Sequence, residues 1–292
     1  PSLGAIPSVL YFHENQFEYP PGNHAHGLLE ARMVSLYSAM AADRLLFNSD
    51  FNRRTFLAGV EGLMRRLPEK TPRSLFSGLQ DMSVVLPVPV DIANPSGIDP
   101  GWPGADVRVK PGFLRIAWVG RFEHDKGGEG LLRILHRLED TRVDYEIAVT
   151  GQQFRQMPDA FETIRRAFAH RLVHMGFLQE RGDYLRLLRG ADLVLSTAEH
   201  EFQGLAVMEA VALGCIPVLP DRQAYPEWYP DECLYVSAPH DPDSEAAGAV
   251  QCMLAVSEGS TIPAPPDISG FFPDALRDSY ARCFTGLAAG SP

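Results

Sequence analysis

Between residues 114 and 236 one pattern repeats: a short apolar run, a turn, then apolar residues at helical spacing. Leu114 to Val119, Tyr145 to Thr150, Val173 to Phe177, Asp192 to Thr197, Ile216 to Leu219 and Leu234 to Val236 read as strands. Helical patterns lie between most of them, notably Gly128 to Leu138, Phe161 to Arg171, Tyr184 to Leu188 and Leu205 to Leu213. Successive parallel strands need a crossover, and a helix supplies it, so this order points to an α/β chain with a doubly wound parallel sheet of about six strands. Phe271 to Leu287 reads as a closing helix.

The first part of the chain repeats the pattern less fully. Val9 to Phe12, Arg44 to Asn48 and Ser83 to Leu86 read as strands. A helix is expected over His24 to Ala42, and a second from the N-cap Ser49 to about Arg66. Strands of a parallel sheet are buried on both faces, so three of them with two helices make a poor core. The front of a first domain is therefore expected to be missing. Residues 91 to 112 are rich in Pro and Gly and read as a linker. The chain of 292 residues divides into a partial first domain at 1–110, with its linker from about 91, and a second domain at 111–292.

Composition narrows the function classes. Hydrophobic residues make up 45% and charged residues 22%, which excludes a disordered chain. The formal net charge of −11 disfavours a general nucleic-acid binder, although it leaves room for a local basic face. Cys215, Cys233, Cys252 and Cys283 form no Cys-x-x-Cys pair, which argues against a zinc site and fits reduced thiols. No apolar run is long enough to span a bilayer and no signal peptide opens the chain, so the expectation is a cytoplasmic, globular protein.

Three segments carry chemistry, each following a strand. Such loops lie at the carboxyl edge of a parallel sheet, where open α/β sheets bind ligands. The first is Gly120-Arg121-Phe122-Glu123-His124-Asp125-Lys126-Gly127. A guanidinium and an ammonium converging there suit a diphosphate whose charge grows as it leaves, and they also fit two solvated cations beside a glycine turn. The second runs from Glu201 to Glu209, with Gly204 opening a helix whose first N–H groups favour phosphate. Its two acids suit sugar or ribose hydroxyls; otherwise they are a loop charge and a carboxylate near a helix start. The third, His13-Glu14-Asn15-Gln16, places polar residues on a loop where ligand-facing roles are common, while His13 alone also fits a capping or packing histidine. His24 and His26 lie two apart with no third ligand nearby and read as surface residues.

Together these segments resemble the retaining glycosyltransferases of the two-Rossmann, GT-B type that carry a Glu-x7-Glu motif. That motif is Glu201 to Glu209, and its companion is Gly120-Arg121 with Lys126-Gly127. The runs YFHENQFEYP (Tyr11 to Pro20), LLFNSDFNRRTFL (Leu45 to Leu57), FEHDK (Phe122 to Lys126) and HEFQG (His200 to Gly204) are similar to the queuosine-tRNA mannosyltransferase group. Gln203 departs from the pattern, standing where relatives often carry an aromatic or a small residue.

The resemblance implies transfer of mannose from GDP-mannose to the queuosine base of a tRNA, with retention of configuration and with no metal or cofactor. Arg121 and Lys126 would hold the diphosphate, with Gly120 beside them. Glu201 would hold the sugar and Glu209 the ribose, and the amides near Gln203, Gly204 and Leu205 would cradle sugar or phosphate. Phe177 and Leu178 would flank the nucleobase. His13 would act on the sugar and acceptor side, with Glu14, Asn15 and Gln16. The implied catalytic set is His13, Arg121, Lys126 and Glu201. Arg65, Arg66, Lys70 and Arg73 form a basic cluster that fits either a solvated helix end or a contact to tRNA phosphates. Two other readings stay open: the same chemistry on a small or lipid-linked acceptor, and a nucleotide-sugar-binding module without transfer. A dinucleotide oxidoreductase is disfavoured, because no Gly-x-Gly-x-x-Gly follows a strand.

Overall fold

The computed structural model describes residues 6–18, 28–66, 73–92, 94–104, 112–153, 157–258 and 264–288. The chain divides into two compact units, one made of the residues up to Pro89 together with those from Phe271 onward, the other of Val90–Gly270.

The second unit is the α/β domain that the repeated pattern predicts. Its strands are β4 (Phe113–Val119), β5 (Asp144–Thr150), β6 (Leu172–Gly176), β7 (Leu193–Leu195), β8 (Ile216–Pro220) and β9 (Leu234–Tyr235). They form one parallel sheet in the order β6-β5-β4-β7-β8-β9. Chain direction across the sheet reverses between β4 and β7, so their carboxyl ends frame the crevice in which such sheets bind ligands. Helices α4 (Gly128–Glu139), α5 (Asp159–Ala167), α6 (Arg181–Arg189), α7 (Leu205–Ala212), α8 (Tyr225–Trp228) and α9 (Pro242–Ser257) complete the unit. Apolar pattern had suggested neither α8 nor α9. The core holds Ile116, Trp118, Phe122, Tyr145, Ile147 and Phe161, each at most 1% exposed. Burying each such side chain stabilises the unit by about 2 kcal/mol.

Residues 94–104 depart from the linker expectation. Trp102 is buried and its indole donates to Glu146 Oε2 at 2.7 Å, while Gly101 N–H donates to Arg186 O at 2.8 Å. Pro and Gly here shape a strap that an aromatic anchor pins to the second unit. Residues 105–111 of the expected linker lie outside the described residues, as do His24 and His26.

The first unit contains β1 (Val9–Phe12), β2 (Arg44–Phe47) and β3 (Ser83–Val85), parallel and in the order β1-β2-β3. Helix α1 is Leu28–Ala41, α2 is Asp50–Met64, and α3 is Arg73–Asp81, an element that the sequence pattern left unassigned. Ser49 caps α2 as expected, its hydroxyl accepting from Asn52 N–H at 3.0 Å. Side chains alternate across β2. Leu45 and Phe47 enter a core with Phe12, Phe56 and Val60, whereas Leu46 packs with Leu86 and Cys283. Cys283 belongs to α10 (Pro273–Ala288), the closing helix. Sequence order had assigned it to the second half, but it contributes apolar cover to the small sheet that short-range pattern cannot assign. Tyr280 on α10 donates to Pro87 O at 2.9 Å and lies 3.3 Å from the Tyr11 hydroxyl, which itself donates to Leu86 O.

Candidate functional site

Two loops meet at the carboxyl ends of β4 and β7. After β4 the chain passes Gly120 and Arg121, makes a single turn over His124–Lys126, and enters α4 through Gly127. Gly127 has φ 70°, and a β-carbon there would lie 1.9 Å from Thr197 O, so only glycine permits this approach to the β7 loop. Asp125 O accepts from Glu199 N–H at 2.9 Å and His200 N–H at 3.2 Å. Thr197 Oγ1 donates to Lys126 O at 3.0 Å and accepts from the Trp118 indole at 2.9 Å. The loops are thus joined through their backbones before any ligand enters.

Lys126 is the centre of that junction. Its Nζ donates to His200 O at 2.9 Å and Glu201 Oε2 at 3.1 Å, and Asp125 Oδ2 lies 3.2 Å away. Burial alone would lower the ammonium pKa, but Glu201 and Asp125 outweigh it and hold it above the usual lysine value. Glu201 turns its other oxygen inward, where Oε1 accepts from Phe202 N–H at 3.2 Å and Gly204 N–H at 3.1 Å. Helical bonding in α7 starts with Met208 N–H donating to Gly204 O at 2.9 Å, so the amides of Leu205, Ala206 and Val207 have no acceptor inside the helix.

A cleft of about 290 Å³ opens above these groups, and Gly120, Arg121, Lys126, Glu201, Gly204 and Leu205 all line it. Tyr225, fully enclosed, forms part of its wall, with its hydroxyl 2.7 Å from Ser196 Oγ. Arg222 buttresses the loop from behind. It donates to Ala198 O at 2.9 Å and pairs with Glu245 at 2.7 Å, both side chains being largely buried.

The remaining donor-side residues lie apart from this lining. Gln203 is buried, its amide Nε2 donating to Met208 Sδ at 3.6 Å, so it supports α7 from within. Glu209 lies one turn beyond Ala206 and pairs with Arg181 at 2.6 Å. Phe177 is exposed and Leu178 half-buried just beyond β6. Arg121, within the lining, is close to half exposed and pairs with Glu123 at 3.0 Å. Motif reading missed Asp125, Arg181 and the Trp118–Thr197 support. Only Asp125, adjacent in sequence to Lys126, gave any local signal.

In the first unit His13 and Glu14 are exposed, and His13 stacks on Tyr11 with ring centroids 4.5 Å apart. Gln16 is half-buried and its carbonyl accepts from Arg32 Nε at 3.1 Å. Asn15 corrects the expectation of a ligand-facing side chain: it is 1% exposed, and its amide donates to Asn52 Oδ1 at 2.8 Å and Thr55 Oγ1 at 3.0 Å. Its Oδ1 accepts from Phe17 N–H at 3.0 Å, so it pins the loop that carries His13. Asn52 in turn donates to Phe12 O at 3.0 Å and Asn48 Oδ1 at 2.8 Å, and Asn48 donates to His13 O at 2.9 Å.

Arg65 and Arg66 are exposed at the end of α2, where Arg65 pairs with Glu61 at 2.5 Å. Lys70 and the Arg73 side chain lie outside the described residues, so the expected four-residue basic patch is not assembled here. Among the described residues no three His, Cys, Asp or Glu side chains cluster as a metal site, and no helix is long and apolar enough to cross a membrane.

Known proteins carry the same architecture. A sucrose-phosphate synthase from Thermosynechococcus elongatus superposes with TM-score 0.65 at 18% identity, covering 97% of this chain and 68% of its own. A UDP-forming trehalose-phosphate synthase from Burkholderia xenovorans superposes with TM-score 0.61 at 16% identity, covering 97% and 69%. These likenesses establish the GT-B fold. Residues 114–255 match the family described as "Glycosyl transferases group 1", and the fold is that of a group 1 glycosyltransferase. Residues 1–90 match "tRNA-queuosine alpha-mannosyltransferase N-terminal". The tRNA-queuosine alpha-mannosyltransferase of Drosophila melanogaster is 34% identical over 80% of this chain and 62% of its own length. The chain belongs to the tRNA-queuosine alpha-mannosyltransferase family of group 1 glycosyltransferases, and spans somewhat under two thirds of that relative.

Proposed function

We propose that the chain transfers a mannosyl group from GDP-mannose to the queuosine base of a tRNA, with retention of configuration. The observation that carries this reading is the convergence of Lys126, Glu201 and the open amides of α7 on one cleft at the sheet's switch point. A diphosphate entering there meets the Lys126 ammonium, Arg121 and the amides of Leu205, Ala206 and Val207, which replace a divalent ion as charge stabilisers. Arg121 is exposed enough to leave Glu123 for a phosphate. Glu201, which already receives Lys126 and the amides of Phe202 and Gly204, keeps about one acceptor position for a sugar hydroxyl, and Glu209 accepts from ribose.

In the reaction the acceptor hydroxyl oxygen attacks the anomeric carbon from the face that the phosphate leaves. The bond from that carbon to the phosphate oxygen breaks, and the departing phosphate takes the hydroxyl proton. No paired-carboxylate chemistry of the hydrolase kind is required. Lys126 and Arg121 act where negative charge grows. His13, Glu14 and Gln16 serve the acceptor side, while Asn15 holds their loop. Phe177 and Leu178 flank the base. Arg65 and Arg66, with Lys70 and Arg73, contact tRNA phosphates, so each substitution among them lowers the salt dependence of tRNA binding by about one unit of slope.

The test is calorimetric titration with GDP, UDP and GDP-mannose, followed by incubation with queuosine-containing tRNA and mass analysis of its nucleosides. The expected result is preferential GDP binding and a hexose added to queuosine. GDP binding without transfer to any tRNA would overturn the acceptor assignment for this chain, and absence of nucleotide binding would overturn the donor site.

A further inference from the structure

Glu209 already has partners. Arg181 Nη2 donates to its Oε1 at 2.6 Å, and the enclosed Tyr184 hydroxyl lies beside the same carboxylate. Arg181 and Tyr184 are three apart at the start of α6 and therefore share one helix face, turned towards the second turn of α7. The same Arg181 nitrogen donates to Asp91 O at 3.1 Å, tying the strap that precedes β4 to this contact. Enclosure of the Tyr184 hydroxyl, with the charge of Glu209 beside it, pushes the phenol well above its ordinary pKa, so it stays a donor at physiological pH.

An ionised carboxylate offers about four acceptor positions. Arg181 takes one and the neighbouring Tyr184 hydroxyl is placed to take a second, which leaves about two, the number that a vicinal diol requires. Each donor also fixes the carboxylate plane, so the open positions keep one direction. Without them Glu209 could rotate freely on its two-carbon stem, and ordering it on binding would cost affinity.

We propose that Arg181 and Tyr184 are positioning residues that aim Glu209 at the 2′- and 3′-hydroxyls of the donor nucleotide, and so make the site selective for ribonucleotides. This rests on the reading of Glu209 as the ribose acceptor. Neither residue touches the reacting atoms.

The test is calorimetric titration of the chain and its Tyr184→Phe, Arg181→Gln, Arg181→Lys and Glu209→Gln variants with GDP and with 2′,3′-dideoxy-GDP. The unsubstituted chain should favour GDP by at least about tenfold, as expected for one or two lost hydrogen bonds. Tyr184→Phe and Arg181→Gln should bring that ratio to within about threefold while leaving dideoxy-GDP affinity unchanged, and Arg181→Lys should restore part of it. An intact ratio in both variants, with the ratio lost in Glu209→Gln, would overturn the positioning role alone. An intact ratio in Glu209→Gln would overturn the ribose reading beneath it. Tighter GDP binding by Arg181→Gln would make Arg181 a competitor of the nucleotide and would also overturn the proposal. Tyr184→Phe removes a single oxygen, and equal thermal midpoints would separate altered selectivity from misfolding.

Discussion

The carboxyl edges of the two sheets are built from different materials. In the second unit the edge is ionic: Lys126 sits between Asp125 and Glu201, with open helix amides beside it. In the first unit it rests on a buried neutral network, in which Asn15, Asn48 and Asn52 exchange amide hydrogen bonds with one another and with the backbone beneath the exposed His13 and Glu14. An ionic edge can answer charge that develops during a reaction, at the expense of burying an ammonium. A neutral network holds a loop still and offers no charge to a ligand. On the proposed reading, charge stabilisation falls to the second edge, and the asparagine network of the first holds the loop that carries His13 and Glu14.

The largest effect that would test this division is on turnover. Lys126→Ala is expected to lower mannosyl transfer by about 10²- to 10³-fold, the cost of removing one preorganised charge stabiliser, as measured by initial rates at saturating donor. A full-speed variant would place the chemistry elsewhere. Asn52→Ala should act on stability instead. It takes the donor from the buried Asn48 Oδ1 and one of two donors from Phe12 O, while Asn15 keeps Thr55 Oγ1 and the backbone carbonyl of residue 52, and about 1–2 kcal/mol should be lost in urea unfolding. If that variant keeps its stability but loses its rate, the neutral edge is part of the chemistry after all.

The ionic edge also has a signature in pH. The Lys126 pKa is raised in the folded chain, burial lowering it but Glu201 and Asp125 raising it more. A raised value means that the pairing contributes its full stability below the unfolded lysine pKa of about 10.4, and loses it as pH rises through the higher folded value. Thermal midpoints of the unsubstituted chain and of Lys126→Met should therefore converge at alkaline pH while remaining separate from neutrality to about pH 10. Parallel curves across that range would mean that the ammonium is not coupled to folding.

Smaller effects sharpen the picture of the first unit. Tyr280→Phe removes the hydroxyl that reaches Pro87 O and should cost about 1 kcal/mol, measured in the same unfolding experiment. Arg65→Ala, on an exposed pair with Glu61, should change stability by under about 0.5 kcal/mol. Any measurable loss of tRNA affinity in that variant would then come from contact rather than from folding.

Much of this was readable in one dimension because strands and helices announce themselves locally. Val119 ends an apolar run, Gly120 and Gly127 bracket a turn, and Glu201 and Glu209 flank a glycine that opens a helix. Such signals act over a few residues, so the six-stranded sheet and the loop that carries Lys126 followed from them. Helix α9 escaped notice because its small residues, such as Ala246 and Ala249, bury without marking an apolar stripe. The Pro-rich stretch reads as a linker because turn chemistry is local, whereas the Trp102 anchor depends on Glu146, far along the chain. The Asn15 side chain could not be placed from its neighbours, since its partners Asn52 and Thr55 are supplied by another element.

The doubly wound second unit, its strand-to-helix loops and the charged residue types at their carboxyl edge were written in the chain, because periodicity, capping and glycine spacing are properties of neighbouring residues. Tertiary structure alone decided that α10 returns to cover the three-stranded sheet, that Lys126 is shared between two carboxylates, and that Arg181 and Tyr184 converge on Glu209. These are contacts between groups far apart in the chain. Their strength depends on burial and direction, which exist only once the elements have packed.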